Sequence, residues 1–232
     1  MTVKKNNQKN LGAEVHKTVK AKAMTLRGID INHAKLAHLD FSGSEMVDCN
    51  LDNSTLTETA LKSANLNYSR LNNADLQGCD LREANLQNTI LHGITLNGAD
   101  LSNANFSYAD LTAAVMDHSY KLSRGKKEVK AKLKNTIFKK AILRGAKLTS
   151  LDLRNIDFTG ADLTGSDFTE ANLKGANFTN ANLTGVKFNK ANLSGIMIKG
   201  AIVRNTEFDD AILDDINHND FADAVGAGKI AA

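Results

Sequence analysis

The chain has 232 residues and a net charge of +3, and 42% of its residues are hydrophobic while 24% are charged. This balance supports a buried core, and the absence of proline and tryptophan argues against a large enzyme barrel or sandwich. No stretch approaches about 18 apolar residues, so no membrane span is predicted. The N-terminus lacks the apolar core of a secretory signal, which predicts a cytoplasmic protein and leaves non-classical export as an effector open.

The N-terminal segment, residues 1–23, carries six lysines against one glutamate and contains no repeat. Val15 and Val19 are spaced as on one face of a short amphipathic helix, while a disordered tail fits the composition equally well. In either form the segment is a basic arm suited to docking.

Residues 24–118 are dominated by a period of five, because every fifth residue from Leu26 to Met116 is apolar, 19 positions in all. A second register of 17 apolar positions runs from Leu133 to Leu213, within residues 131–215. We call these positions the centres. Chance agreement at every centre is on the order of 10⁻¹⁴ at the observed hydrophobic content. Centres predicted to fill the core include Leu66, Leu76, Leu101, Phe106, Phe158, Phe168, Phe178 and Phe188.

The residue two before each centre is a second inward candidate, and 18 of these 36 residues are alanine. On a helix, a step of five residues advances about 500°, so no face forms. On a flat strand, an odd step alternates between the two faces. Both inward positions stay inward only if the chain turns a corner every five residues. The spacing therefore predicts an all-β solenoid of very short strands, with coils stacked about 4.8 Å apart.

Residues 119–130 interrupt the repeat, and the second register is shifted because the length of the insert is not a multiple of five. The insert must leave the wall and rejoin it, so we expect a projecting loop. A solvated insertion and a partner-contacting loop are both compatible with the sequence. Its basic residues are Lys121, Arg124, Lys126, Lys127 and Lys130.

The C-terminal segment, residues 216–232, no longer follows the repeat. The open end of a solenoid exposes edges and needs a cap. Phe221, Ala222 and Val225 have helical spacing, which predicts a short capping helix.

The segments ADLQG, ANLQN, ADLSN, ADLTG, ANLKG and ANLTG resemble the pentapeptide-repeat family, and the resemblance covers about 180 of 232 residues. It implies a right-handed quadrilateral β-helix with four repeats per coil, hence about nine coils for the 36 centres. It also implies that the C-terminal segment can build a homodimer. The best-understood members protect or inhibit bacterial type II topoisomerases and are similar to duplex DNA in width and negative charge.

Two charged columns are predicted on one wall, because residues one coil apart stack on each other. Asp40, Asp80 and Asp100 form either a solvated column or an acidic stripe facing a basic partner. The basic column contains Lys134, Arg154 and Lys174 as consecutive neighbours, preceded by Lys62 and Arg82. Like charges about 4.8 Å apart repel each other, and an anionic partner would relieve that repulsion. These three residues and the insert form the predicted partner-binding patch.

The sequence contains no catalytic, cofactor-binding or metal-binding motif, which predicts a non-enzymatic protein without a cofactor. Four of the six histidines lie at outward positions of the repeat. Cys49 and Cys79 occupy the small inward position, which predicts two buried thiols on opposite walls.

Two functional hypotheses follow. The first is a scaffold or adaptor that presents the rod, the insert and the tails to a protein partner. The alternative is a DNA-mimic modulator of bacterial gyrase that protects it against topoisomerase poisons. Residues 24–118 carry twelve acidic and five basic side chains, which favours the alternative, whereas the basic whole chain opposes it. The three tyrosines and the lack of a groove-reading helix argue against direct binding of nucleic acid.

Overall fold

The computed structural model describes residues 23–123 and 128–216. In these ranges the chain winds into a parallel β-helix-type solenoid, because residues pair in parallel with residues 20 positions later, beginning with Thr25 and Glu45. One pairing occurs in every five residues, so each coil has four sides. We number the four walls in chain order, with first centres at Leu26, Ile31, Leu36 and Phe41. The described residues form no helix long and apolar enough to cross a membrane.

The centres point into the solenoid and form a continuous core. The eight centres from Leu66 to Phe188 that the sequence analysis named are all fully buried, with no exposed surface. On wall one, four phenylalanines stack along the axis, and the rings of Phe158 and Phe178 lie 5.2 Å apart and 2° from parallel. A second column on wall three meets the first edge to face, as Phe158 and Phe168 do at 5.8 Å. Such contacts add to the free energy of burial.

Each corner is closed by local hydrogen bonds. An Asp or Asn before the centre accepts from the backbone N–H two residues later, as Asp40 Oδ1 does from Ser42 at 2.9 Å. The residue two after the centre has a positive φ, which Asn and Gly adopt most readily, as at Asn88 with a φ of 55°. These local requirements explain the abundance of Asp, Asn and Gly outside the core.

The insert forms a two-stranded antiparallel hairpin, with β1 at Tyr120–Lys121 and β2 at Glu128–Val129. The coil continues across it, since Asp100 pairs with Lys132. The described part of the hairpin lies against the corner between walls three and four. There Tyr120 donates to Glu58 at 3.3 Å and packs over Gly78 and Gly98.

Wall four contains one interrupted joint in the ladder. Among the described residues, Lys132 forms no ladder pair with Asp152, although walls one to three are paired between the same two coils. Leu151 lies at this joint, two residues before a centre, where its neighbours in the column are Ala131 and Ala171. The chain also re-enters the wall here after the insert. Both features coincide with the missing pair.

Several predictions fall outside the described residues. These are the basic arm before residue 23, the capping helix with Phe221, Ala222 and Val225, and the insert residues Arg124, Lys126 and Lys127.

Candidate partner-binding surface

The basic column lies on the corner after wall four, one residue after each centre, rather than on the wall itself. Asn155 N–H donates to the Lys174 carbonyl at 3.0 Å, and Asn103 N–H donates to the Lys134 carbonyl at 2.9 Å. These bonds place Lys174 in the coil after Arg154 and Lys134 in the coil after Ser102. Between Lys134 and Arg154 the described residues form no such bond, because this step is the interrupted joint of wall four.

Internal carboxylates neutralise part of this column. Arg154 pairs with Asp152 at 2.6 Å, and the side-chain hydrogen bond from Arg154 lowers the pKa of Asp152. Lys62 and Arg82 likewise have carboxylate partners, Glu83 at 3.5 Å and Asp80 at 2.6 Å. Lys134 and Lys174 have no ion-pair partner within residues 23–123 and 128–216. They carry the positive charge of this corner that remains available to a ligand.

The acidic column lies on wall four itself. Asp80 and Asp100 are paired neighbours in the ladder, and Asp40 is separated from Asp80 by Ala60. Burial raises the pKa of Asp100, but hydrogen bonds from Ser102 and Lys132 outweigh this effect and the pKa lies below its ordinary value. Lys132 Nζ lies 3.1 Å from its carboxylate. The acidic column is therefore largely bonded within the wall.

A groove of about 540 Å³ opens at the interrupted joint of wall four. It connects the basic column with the residues that follow the insert, so Lys134 and Arg154 face the same space. Its lining comprises Ser102, Ala131, Lys132, Leu133, Lys134, Asn135, Asp152, Arg154 and Asn155.

A belt of positive charge surrounds the rod at this level. Residues 129–151 contain seven basic residues and no acidic residue, and all seven are exposed. We call this set the basic belt. Its members lie on walls three and four, just before wall four, and at the corners that follow walls one, two and four. Its members are Lys130, Lys132, Lys134, Lys139, Lys140, Arg144 and Lys147. The belt is not evident from the net charge of residues 131–215, because acidic residues farther along this segment offset its charge.

A protein-family model matches most of the solenoid and identifies the family. The pentapeptide repeats model matches in eight copies, over residues 25–59, 44–82, 79–117, 129–165 and 156–195. The chain belongs to the pentapeptide repeat family. The matched residues account for most of the solenoid described above.

Solved structures with similarity to this pentapeptide repeat protein include HetL, from the cyanobacterium Nostoc, which is involved in regulating heterocyst differentiation. HetL is 26% identical, with 84% of this chain and 89% of HetL covered and a TM-score of 0.38. QnrB1, a plasmid-mediated fluoroquinolone resistance protein, is 18% identical, with 88% and 96% covered and a TM-score of 0.41. Rfr23 from the cyanobacterium Cyanothece is 20% identical, with 66% and 90% covered and a TM-score of 0.28. No curated protein sequence matches.

The structure also exposes two tyrosines that sequence analysis did not assign to a site. Tyr68 is 61% exposed and Tyr108 is 55% exposed, and both lie on the corner between walls one and two of this pentapeptide repeat protein. Lys140 Nζ lies 5.4 Å from the centre of the Tyr108 ring. Their position in the sequence, two residues after a centre, indicates a corner of the solenoid and hence exposure to solvent.

The described cysteines and histidines have different surroundings: the thiols are buried, whereas several histidines lie beside carboxylates. Cys49 and Cys79 are buried free thiols, and desolvation raises the pKa of Cys49 to about 11. His92 lies 2.8 Å from Asp110, and His118 lies 2.6 Å from Asp117. No group of three or more His, Cys, Asp or Glu side chains that could hold a metal occurs among the described residues.

Proposed function

We propose that this protein is a non-enzymatic scaffold that binds an acidic protein partner through the basic belt and the adjoining basic column. The observation that supports this function most directly is the uncompensated charge of Lys134 and Lys174, which lie two coils apart on one corner. Within this proposal, the solenoid has about nine right-handed coils and a helical cap over residues 216–232.

A rigid rod suits this role because it fixes the spacing of its charged side chains before a partner arrives. The ladder holds neighbouring coils at about 4.8 Å, so little backbone entropy is lost on binding. Each side chain still loses rotamer freedom, which limits the gain from an exposed pair to about 1 kcal/mol or less. Several such pairs are needed, and the belt and column supply them.

Exposed charge pairs are screened by salt, and the Debye length is about 8 Å at physiological ionic strength. Association through the belt should therefore weaken as salt is raised, mainly through a slower association rate. An acidic partner with apolar contacts at its centre would retain part of its affinity. Salt dependence thus measures how much of the binding the belt supplies.

The test compares Lys134→Glu/Lys174→Glu with the matched control Lys187→Glu/Lys190→Glu. Both control lysines are exposed and lack an ion-pair partner in the described part of the chain, and both double changes alter the net charge equally. Each full-length variant is immobilised, candidate protein partners are passed over it, and the amount of each partner retained is measured at low and high salt. We expect partners held by the wild type and the control variant to be lost from the Lys134/Lys174 variant. Equal retention by both variants would contradict the proposed surface.

The alternative function is modulation of gyrase, and the acidic excess of residues 24–118 favours it. Internal pairs weaken this acidic character, because Asp52, Asp80 and Glu45 are bonded to Arg70, Arg82 and Arg27 at 2.6–2.9 Å. A gyrase supercoiling assay, with and without a quinolone, tests it directly. Inhibition or drug protection that disappears when residues 119–130 are deleted would favour the alternative.

A further inference from the structure

The corner between walls one and two carries a symmetric series of residues. Successive coils place Asp48, Tyr68, Asn88, Tyr108 and Lys140 above one another. Backbone hydrogen bonds link each coil to the next along this corner. The first runs from the Asp48 N–H to the Asn67 carbonyl at 3.1 Å, and the last runs from the Tyr108 N–H to the Lys139 carbonyl at 3.1 Å. Read outward from Asn88, both directions give a tyrosine and then a charged residue, and the two charges have opposite signs.

The symmetry extends beyond these five positions. One coil farther out in each direction the corner residue is glycine, Gly28 at one end and Gly160 at the other. On the adjoining wall two, Ile90 is 39% exposed and lies in the same coil as Asn88. Its ladder neighbours are Arg70 on one side and Asp110 on the other, which again have opposite charges.

The charged ends of the corner remain available for pairing. The Asp48 carboxylate has no ion-pair or hydrogen-bond partner within residues 23–123 and 128–216. The Lys140 ammonium lies over the Tyr108 ring and has no ion-pair partner in those ranges. Asp48 and Lys140 are four coils, or about 19 Å, apart, so they cannot pair within one chain.

We infer that this corner binds a second copy of the chain in an antiparallel, side-by-side dimer. A two-fold axis at the level of Asn88 sets Asp48 of each copy against Lys140 of the other. The same axis sets Tyr68 against Tyr108 and brings the two Ile90 side chains together. An isologous interface requires a surface that is complementary to itself after rotation, and this series meets that requirement.

The composition of the strip also fits an interface. Tyrosine is enriched at protein–protein contacts and supplies a large area with little loss of side-chain entropy. Four of the six large hydrophobic residues exposed in the described ranges lie in or beside it: Tyr68, Ile90, Tyr108 and Ile137. The other two exposed large hydrophobic residues of the described ranges, Met197 and Ile212, lie on different walls from each other.

The size of the strip sets the expected strength. Five coils at about 4.8 Å give a length of about 24 Å, and a corner with one flank is about 15 Å wide. The two copies would then bury about 700 Å² in total, which is below the standard size for stable complexes. We expect a weak dimer in rapid exchange with monomer, visible at protein concentrations of about 0.1–1 mM.

Charge reversal tests the antiparallel register. Sedimentation equilibrium of the full chain is measured for wild type, Asp48→Lys, Lys140→Asp and the double variant. Each single change sets like charges against each other twice per dimer and should weaken association at least about tenfold. The double variant restores opposite charges only if residue 48 of one copy meets residue 140 of the other. Recovery of the wild-type dissociation constant supports the inference.

Cross-linking tests the position of the axis independently. Asn88→Cys places a thiol next to its own symmetry mate, so mild oxidation should give a covalent dimer. Asn103→Cys is the matched control, because Asn103 lies in the same coil at another corner and has a similar φ of 61°. The native thiols are buried and do not compete.

The charge-reversal and cross-linking experiments together distinguish this dimer from the monomer and from other dimers. A covalent dimer from Asn88→Cys but not from Asn103→Cys, with charge rescue in the double variant, supports the antiparallel corner. A chain that stays monomeric at the highest concentration overturns it. A dimer that is insensitive to all three charge variants also overturns it, because association then uses another surface such as the C-terminal segment.

Discussion

Glu58 and Ser123 are 65 residues apart in the chain, yet one carboxylate accepts both the backbone N–H of Ser123, at 2.6 Å, and its hydroxyl, at 2.7 Å. Tyr120 adds a third hydrogen bond at 3.3 Å. These contacts hold the described part of the insert against the corner between walls three and four. The Glu58 side chain is only 12% exposed, whereas Ser123 is exposed, so the contact lies at the protein surface.

Replacing Glu58 by Gln should release the hairpin without unfolding the solenoid. The change removes a charge-assisted hydrogen bond, worth about 1.5–3 kcal/mol, from the contact that joins hairpin and corner. Hydrogen exchange of the Ser123 amide should accelerate by at least about tenfold. Glu83→Gln is the control, because Glu83 lies on another corner and is more than half exposed. Equal exchange at Ser123 in both variants would contradict the anchoring role.

Acid should weaken the same contact. Burial raises the pKa of Glu58, but the hydrogen bonds from Ser123 and Tyr120 outweigh burial and hold the pKa below its ordinary value of 4.5. A carboxyl with a lowered folded-state pKa contributes its full stability above the ordinary pKa and loses it as pH falls through the folded-state pKa. We therefore expect Ser123 exchange, corrected for the intrinsic rate, to rise below about pH 4.5 in wild type. In Glu58→Gln this dependence should be absent.

Gly98→Ala should disturb the hairpin as well as the corner. An added Cβ would lie 2.6 Å from Tyr120 Cβ and 3.1 Å from the Val129 carbonyl oxygen. Gly165→Ala is a matched control, because Gly165 has a similar positive φ of 66° and nothing within 4 Å of the added carbon. The control should lose about 1–2 kcal/mol from backbone strain alone. Urea unfolding and Ser123 exchange should show a larger loss, with release of the hairpin, only for Gly98→Ala.

Leu151→Ala should be unusually mild for a buried leucine. Removing its side chain allows Lys132 and Asp152 to approach, so the lost apolar burial is offset by new ladder hydrogen bonds. We expect a loss of less than about 2 kcal/mol, against about 2–5 kcal/mol for Leu153→Ala, a centre on the same wall. Amide exchange at Leu133 and Asn135 should slow only in Leu151→Ala. If exchange at these two amides is unchanged, the missing ladder pair is caused by re-entry of the chain after the insert and not by the Leu151 side chain.

The two thiols should resist modification in the native state. The pKa of Cys49 is raised to about 11 by desolvation, and desolvation also raises the pKa of Cys79. Only about one Cys49 thiol in a thousand is then ionised at pH 8. Iodoacetamide at that pH should label native protein at least about 100-fold more slowly than protein in denaturant. Rapid labelling of native protein would show that walls two and four open locally.

The repeat, the family and the inward positions follow from the amino-acid sequence alone. A period of five with small residues two before each centre leaves few alternatives, because neither a helix nor a flat strand keeps both positions on one side. The 20-residue spacing of the ladder then places Asp80 beside Asp100 and Arg154 beside Lys174. Corner chemistry followed from the same pattern, since Asp, Asn and Gly satisfy local bonds and positive φ.

Which charges remain available, and where the insert lies, depends on packing between distant parts of the chain. Arg154 and Lys134 look equivalent in sequence, but the Arg154 side chain reaches Asp152 while Lys134 has no such partner in the described residues. Glu58 could not be matched with Ser123 from sequence, because nothing in a repeat specifies what an insert packs against. Similarly, the 20-residue coil aligns Tyr68, Asn88 and Tyr108, but the exposure of the two tyrosine rings is visible only in the folded structure. Long-range stacking, rather than local propensity, brings these side chains together.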